Sequence, residues 1–285
     1  EQIERLHTSD LILALGTRLD DITSQNFTFP ALPQPAQVLV HCYPDPRVVG
    51  LHFATDVGLA CHPMGLVQDL MPLSPFQTSA ARVQWAQALR EQHLKIAAWP
   101  QKSASDGVRF FEVVRHLKAL ASADLRLCVD AGTFAAPVYR HFEFDPPQRL
   151  MAPLSGAMGY GTPAALATAM REPQHPVVCL VGDGGFMMTG NEMILAVQRR
   201  LPILFVLANN GSYGSIRIHQ ERAYPGRHSG THLFNPDFSA IAQGFGMTVD
   251  TVTHEDQIEA ALRRGLMSAQ PHFIEVKSSL EVTLP

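Results

Sequence analysis

Two apolar runs, each closing on a polar turn, decide the fold. Val177-Val178-Cys179-Leu180-Val181 passes into Gly182-Asp183-Gly184-Gly185, and Ile203-Leu204-Phe205-Val206-Leu207 leads to Asn209-Asn210-Gly211. Runs apolar at every position suit strands of a parallel sheet that helices cover on both faces. The segment 191–200 between them has the length of a helix, and a right-handed crossover through it makes the two strands parallel and adjacent. Both turns then fall on one edge of the sheet, and Asp183 meets Asn210 across 27 positions of sequence.

Outward from this pair the same alternation continues. An amphipathic segment over 108–120 precedes a strand over 125–130, and a small-residue helix over 159–170 leads into the first run. Beyond the second run come a strand over 248–252, a helix over 254–267 and a strand over 273–276. Thr253 with Asp256 reads as a capping box that starts that last helix. Strand and helix alternating in this way predict an α/β fold with a doubly wound parallel sheet over residues 107–285. Residues 1–72 hold two more short strands, 11–15 and 38–41, followed by Gly16-Thr17 and by Pro44-Asp45-Pro46; they read as part of a second, Rossmann-like α/β domain. The stretch 73–106, rich in Pro, Ser, Gln and Ala, reads as an interdomain linker carrying a short helix over 79–94.

Composition narrows the function classes. A formal net charge of −4 over 285 residues gives no basic surface for nucleic acid, and no apolar run approaches the length of a membrane span. Cys42, Cys61, Cys128 and Cys179 lack metal-ligand spacing, and two of them lie inside strand runs, so they read as free thiols in a reducing, cytoplasmic setting. The chain opens on Glu1 with neither a basic n-region nor an apolar h-region, and its first residues read as the continuation of a longer polypeptide.

The chemistry concentrates at the two turns. A carboxylate, a side-chain amide oxygen and a nearby backbone carbonyl are hard oxygen ligands suited to Mg²⁺, which completes its shell with phosphate oxygens and water. Glycines let a backbone approach phosphates without a Cβ in the way, and the N-terminus of a following helix favours the anion. Either turn alone is commonly just a turn. Paired at the ends of adjacent strands, they read as a diphosphate–Mg²⁺ site.

With these residues in view, the chain resembles the thiamine diphosphate enzymes of the acetolactate synthase and benzoylformate decarboxylase type. Gly182-Asp183-Gly184 through Asn209-Asn210 resembles the cofactor signature, and Leu201-Pro202-Ile203 through Ser212-Tyr213-Gly214 resembles the region around it. Ser155-Gly156-Ala157-Met158-Gly159-Tyr160-Gly161-Thr162-Pro163 is similar to the family's Gly-Thr-Met-Gly-Phe-Gly-Leu-Pro stretch. Ser9-Asp10-Leu11-Ile12, Gly16-Thr17-Arg18-Leu19, Pro44-Asp45-Pro46 and Thr55-Asp56-Val57-Gly58 resemble the second part of the family's central domain. The resemblance implies Asp183 and Asn210 as side-chain ligands of Mg²⁺ with Ser212 contributing its carbonyl. It implies Gly184 and Gly185, helped by Thr133, against the diphosphate. Met158 would prop the cofactor in its bent shape, the Gly156 carbonyl would accept from the aminopyrimidine, and Gly182 and Tyr213 would complete the cofactor contacts.

It also implies a catalytic glutamate in an N-terminal pyrimidine-binding domain. No glutamate here, Glu192 and Glu221 included, has the expected context. That domain is therefore expected from a missing segment or another subunit, in a homodimer or homotetramer acting on a small 2-oxo acid. After Tyr213-Gly214, acetolactate synthases carry Met-Val-Gln-Gln-Trp, whose Met and Trp shape the acceptor pocket; here Ser215 and His219 stand at those two positions. His219 reads as a contact to a polar acceptor, a proton-transfer group, or a structural histidine. Arg217 and Arg222 read as carboxylate binders or as a solvated face. Three functions stay open: an acetolactate synthase-like enzyme of decarboxylation or C–C bond formation, a benzoylformate-type decarboxylase, and a non-catalytic cofactor-binding or assembly module.

Overall fold

The computed structural model describes residues 2–73 and 77–284. Residues 74–76, inside the stretch expected as a linker, and Glu1 lie outside the described residues. The chain divides into two compact units, Glu1–Ala97 and Ala98–Pro285.

The first unit runs α1 (Gln2–Leu6), β1 (Leu11–Leu15), β2 (Val38–Cys42), β3 (Val57–Leu59), α2 (Pro63–Leu70) and α3 (Ala80–Ala97), with the strands parallel in the order β1-β2-β3. Alternation along β1 and β2 turns Ala14 and Leu39 onto Leu19 and Phe53, the small core of this unit. Pro63, at the start of α2, needs no N–H there, and the His62 side chain accepts from Met64 N. The helix expected at 79–94 is longer and falls within this unit, where Trp85 Nε1 donates to Thr8 Oγ1 at 2.9 Å.

The second unit begins with α4 (Phe110–Leu120), β4 (Arg126–Val129), α5 (Ala136–His141), β5 (Arg149–Met151), α6 (Gly161–Arg171), β6 (Val177–Gly182), α7 (Asp183–Thr189) and α8 (Met193–Arg199). It continues with β7 (Ile203–Asn209), α9 (Gly214–Ala223), α10 (Phe238–Gly244), β8 (Thr248–Val252), α11 (Ile258–Leu266) and β9 (His272–Lys277). The six strands are all parallel, in the order β5-β4-β6-β7-β9-β8. Side-chain alternation splits the interior into two cores. Leu127, Val178, Leu180, Val206 and Ile274 pack against α4, α5 and α11, while Cys128, Cys179, Phe205, Leu207 and Phe273 pack against α6, α8 and α10. This is the doubly wound sheet expected, and full burial of each such apolar side chain contributes about 1.5–3 kcal/mol. Cys128 and Cys179 are buried free thiols. Among the described residues no helix is long and apolar enough to cross a membrane.

Two expectations need correction. The capping box before α11 is formed by His254 and Gln257, not by Thr253 and Asp256. The longer Gln257 side chain reaches back, so that its Oε1 accepts from Thr253 N at 2.8 Å and His254 N at 3.1 Å, and a 3₁₀ turn precedes the α-helix. The helix that follows Gly182 is not the one near 191–200. A separate helix, α7, begins at Asp183 itself, and its two glycines disguise it because glycine is a poor helix former. The later segment opens as a 3₁₀ turn and becomes α8, which closes on Arg200 in the left-handed conformation two residues before helix-breaking Pro202.

Candidate functional site

β4, β6 and β7 are adjacent and parallel, so Asp130, Asp183 and Asn209-Asn210 emerge side by side at their carboxyl ends, where open α/β sheets bind ligands. Asp183 is only 3% exposed. Its Oδ1 accepts from Gly184 N at 2.9 Å, and its Oδ2 accepts from Gly211 N at 2.8 Å and from Asn235 Nδ2 at 2.8 Å. Burial raises its pKa above the ordinary carboxylate value, against the pull of these bonds. Among the described residues no ion pair neutralises it.

Asn210 stands beside this carboxylate, with its Oδ1 accepting from Ser212 N at 3.0 Å, while the Ser212 carbonyl accepts from Gly214 N at 2.8 Å. Gly211 makes the turn between them at φ +66°, a conformation that disfavours any residue with a Cβ. Among the described residues no group of three His, Cys, Asp or Glu side chains could hold a metal. The donors here are instead one buried carboxylate with an amide and a carbonyl oxygen beside it, a set suited to a hard divalent cation. A buried charge without a counter-ion is costly even when hydrogen-bonded, and a bound cation lowers that cost.

Beside these oxygens lies a cradle with no room for side chains. A Cβ on Gly184 would stand 2.5 Å from Cε1 of Tyr213 and 3.2 Å from Cε of Met158. One on Gly214 would stand 3.1 Å from Thr133 Oγ1 and 3.3 Å from Asn210 Nδ2. The structure thus brings together Met158, Gly184 and Tyr213, and likewise Thr133, Asn210 and Gly214. Gly185 packs against Asp130, whose side chain accepts from Ala131 N at 2.7 Å, Gly159 N at 3.0 Å and Tyr160 N at 3.3 Å at the start of α6. Gly182 gives its open side to the Phe134 ring, 2.9 Å from where a Cβ would be.

The residues matched by the family model for the C-terminal TPP-binding domain of thiamine pyrophosphate enzymes are 130–276, more than half of the chain, and they run from this buried Asp130 to β9. The chain belongs to the thiamine pyrophosphate enzyme family. It is 29% identical to the acetolactate synthase isozyme 3 large subunit of Escherichia coli K12 over 92% of this chain and 46% of that one. It is 30% identical to the isozyme 2 large subunit of the same organism over 94% and 47%. To a probable acetolactate synthase large subunit of Methanocaldococcus jannaschii it is 24% identical over 97% and 47%. The chain spans about half the length of these relatives.

Gly156 lies at an exposed turn with φ +67° and open space where a Cβ would be. Ser215 and His219 lie one turn apart on α9, Ser215 half-buried and His219 exposed. Arg217 is held by Glu221 at 2.9 Å, and Glu221 is also 3.0 Å from His228 Nδ1, so this arginine belongs to a local ion-pair cluster. Arg222 and Glu192 are exposed.

Sequence reasoning missed the segment that closes over the Asn210–Ser212 turn. Ser212 bridges antiparallel to His232, Tyr213 N donates to Thr231 O at 2.9 Å, and Leu233 N donates to Gly211 O at 2.8 Å. This lead-in delivers Asn235 to Asp183. The available signal was Asn235-Pro236-Asp237 ahead of an apolar run, where Asp237 caps α10 by accepting from Ala240 N at 2.8 Å.

Proposed function

We propose that this chain forms the diphosphate- and Mg²⁺-binding half of a thiamine diphosphate enzyme that acts on a 2-oxo acid or related carbonyl compound by decarboxylation or C–C bond formation. The observation that carries the reading is the buried Asp183 carboxylate, hydrogen-bonded but without a counter-ion among the described residues, at the sheet edge where the neighbouring strand ends in Asn210 and Ser212. Bound cofactor supplies a nucleophilic ring carbon and an electron sink for reaction at a carbonyl. The residues of this chain hold and orient it. Asp183, Asn210 and Ser212 carry the ion, and Gly184, Gly185 and Thr133 meet the diphosphate. Met158 and Tyr213 form the apolar wall, with the Gly156 carbonyl and Gly182 completing the contacts.

A pyrimidine-binding domain, from another segment or another subunit of a homodimer or homotetramer, supplies the catalytic glutamate. Apolar groups left exposed on segments next to the cradle support this, notably Leu154, Phe234, Met187 and Met188. Ser215 and His219, where acetolactate synthases carry Met and Trp, set the acceptor and favour a smaller or more polar one. The buried free thiols fit a cytoplasmic setting.

The test is calorimetric titration of thiamine diphosphate in the presence of Mg²⁺. Asp183→Ala abolishes Mg²⁺-dependent binding; an unchanged affinity would overturn the site.

A further inference from the structure

Glu275, on β9, is 1% exposed and does not touch Asp183. Its Oε1 accepts from Asn209 Nδ2 at 2.7 Å and from Lys277 Nζ at 2.5 Å, and its Oε2 accepts from Ser239 Oγ at 2.8 Å. An ion-paired carboxylate has no hydrogen to give, so the Asn209 amide must turn its amino group toward Glu275 and its oxygen away. That oxygen accepts from Asn235 Nδ2 at 2.9 Å, and the same amino group donates its other hydrogen to Asp183 Oδ2 at 2.8 Å. Were the Asn209 amide reversed, Asn235 would have to answer with its oxygen. That oxygen would then face the Asp183 carboxylate.

We propose that Glu275 is a positioning residue for the Asp183 carboxylate, acting through the Asn209 and Asn235 amides. Its accepting oxygen sets the sense of both amides, so that Asp183 is anchored by a donor and held in the orientation that receives the cation. The members come from β9, the end of β7 and the segment before α10, and they converge only in the folded protein. Buried networks in which each polar group has its partner are rigid, and a partly satisfied one is not. The inference rests on the reading of Asp183 as a Mg²⁺ ligand.

The experiment measures the Mg²⁺ concentration that half-saturates thiamine diphosphate binding, alongside the melting temperature without cofactor. Glu275→Met keeps the volume and removes the acceptor; it should raise that concentration about tenfold or more, whereas Glu275→Gln, which keeps an oxygen toward Asn209, should stay within about threefold, the range expected when an outer-shell partner is lost or kept. Asn235→Leu should cause a similar loss, and the Glu275→Met/Asn235→Leu double variant should be no weaker than Asn235→Leu alone, because the route runs through Asn235. A Glu275→Met protein that melts lower yet keeps the wild-type Mg²⁺ requirement overturns the proposal, as do single losses that multiply in the double variant. If Glu275→Met does not fold, Asn209→Leu cuts the same route one link nearer and is judged by the same outcomes. Asp183→Ala run in parallel separates the two readings. If it leaves binding intact, the metal site itself fails; if it abolishes binding while the Glu275 and Asn209 variants bind as wild type, the relay alone fails.

Discussion

Gly184 and Tyr213 share one volume: a Cβ built on Gly184 would stand 2.5 Å from Cε1 of the Tyr213 ring. The glycine in the first turn of α7 is therefore needed for the α9 end of the site to pack against it, and Met158 presses from another side. Gly184→Ala forces the ring and Met158 outward. The expected result is a stability loss of about 1–3 kcal/mol, the usual cost of overpacking, together with a sharp fall in thiamine diphosphate affinity. Denaturant unfolding and calorimetry check the two parts, and an alanine variant that binds cofactor normally would show that the cradle is not the binding surface.

Asp130 is a structural carboxylate at the same sheet edge. Burial raises its pKa, and the N–H groups of Ala131, Gly159 and Tyr160 partly compensate. Asp130→Ala leaves the Gly159 and Tyr160 donors without their acceptor, which should cost on the order of 2–6 kcal/mol, at about 1–3 for each buried group left unpaired. Because the Gly159–Tyr160 turn precedes α6 and follows Met158, cofactor affinity should fall with stability. Urea midpoints equal to wild type would remove Asp130 from this role.

Ser215 and His219 test acceptor choice separately from cofactor binding. Both lie on α9 past the Asn210–Ser212 turn, and neither bonds to Asp183 or Asn210 among the described residues. The paired change Ser215→Met and His219→Trp should alter the profile of 2-oxo acids accepted while thiamine diphosphate affinity stays put. Loss of cofactor binding would instead mean that α9 reports on the Asn210–Ser212 turn.

Asp250 ties β8 to α11 and β9. Its carboxylate bonds Arg264 at 2.7 Å and His272 Nε2 at 2.8 Å. Burial pushes its pKa up, but these two partners outweigh it and hold the carboxyl below its usual range. A carboxyl that titrates lower in the fold than in the unfolded chain contributes fully above about pH 4, and that contribution disappears as the pH falls through the folded value. Asp250→Asn should therefore be less stable than wild type at neutral pH, and the two unfolding free energies should converge as the pH falls through the lowered folded value. Parallel curves across that range would exclude Asp250 as a source of acid sensitivity.

The central strands, their parallel order and the meeting of Asp183 with Asn210 were legible in the sequence. Apolar runs closing on Gly-Asp-Gly-Gly and Asn-Asn-Gly carry strand, turn and sheet edge within a few residues of each other, and the handedness of a crossover does the rest. Local patterns of this kind fix where a backbone goes. They do not say which polar atom finds which partner. Asn235, Asn209 and Glu275 carry no periodicity that marks them, and their chain of hydrogen bonds to Asp183 exists only because β7, β9 and the approach to α10 are brought to one point. The same holds for Arg217, open in sequence to a carboxylate-binding role and held in the fold by Glu221. It holds for α7 as well, where glycines that weaken a helix are retained because the Tyr213 ring and Asp130 occupy the space of their missing side chains. Sequence alone determined the sheet and which oxygen-bearing residues, Asp183 and Asn210, stand at its edge. Tertiary structure decided how that carboxylate is buried and anchored, because desolvation and hydrogen-bond partnership depend on neighbours far away in the chain.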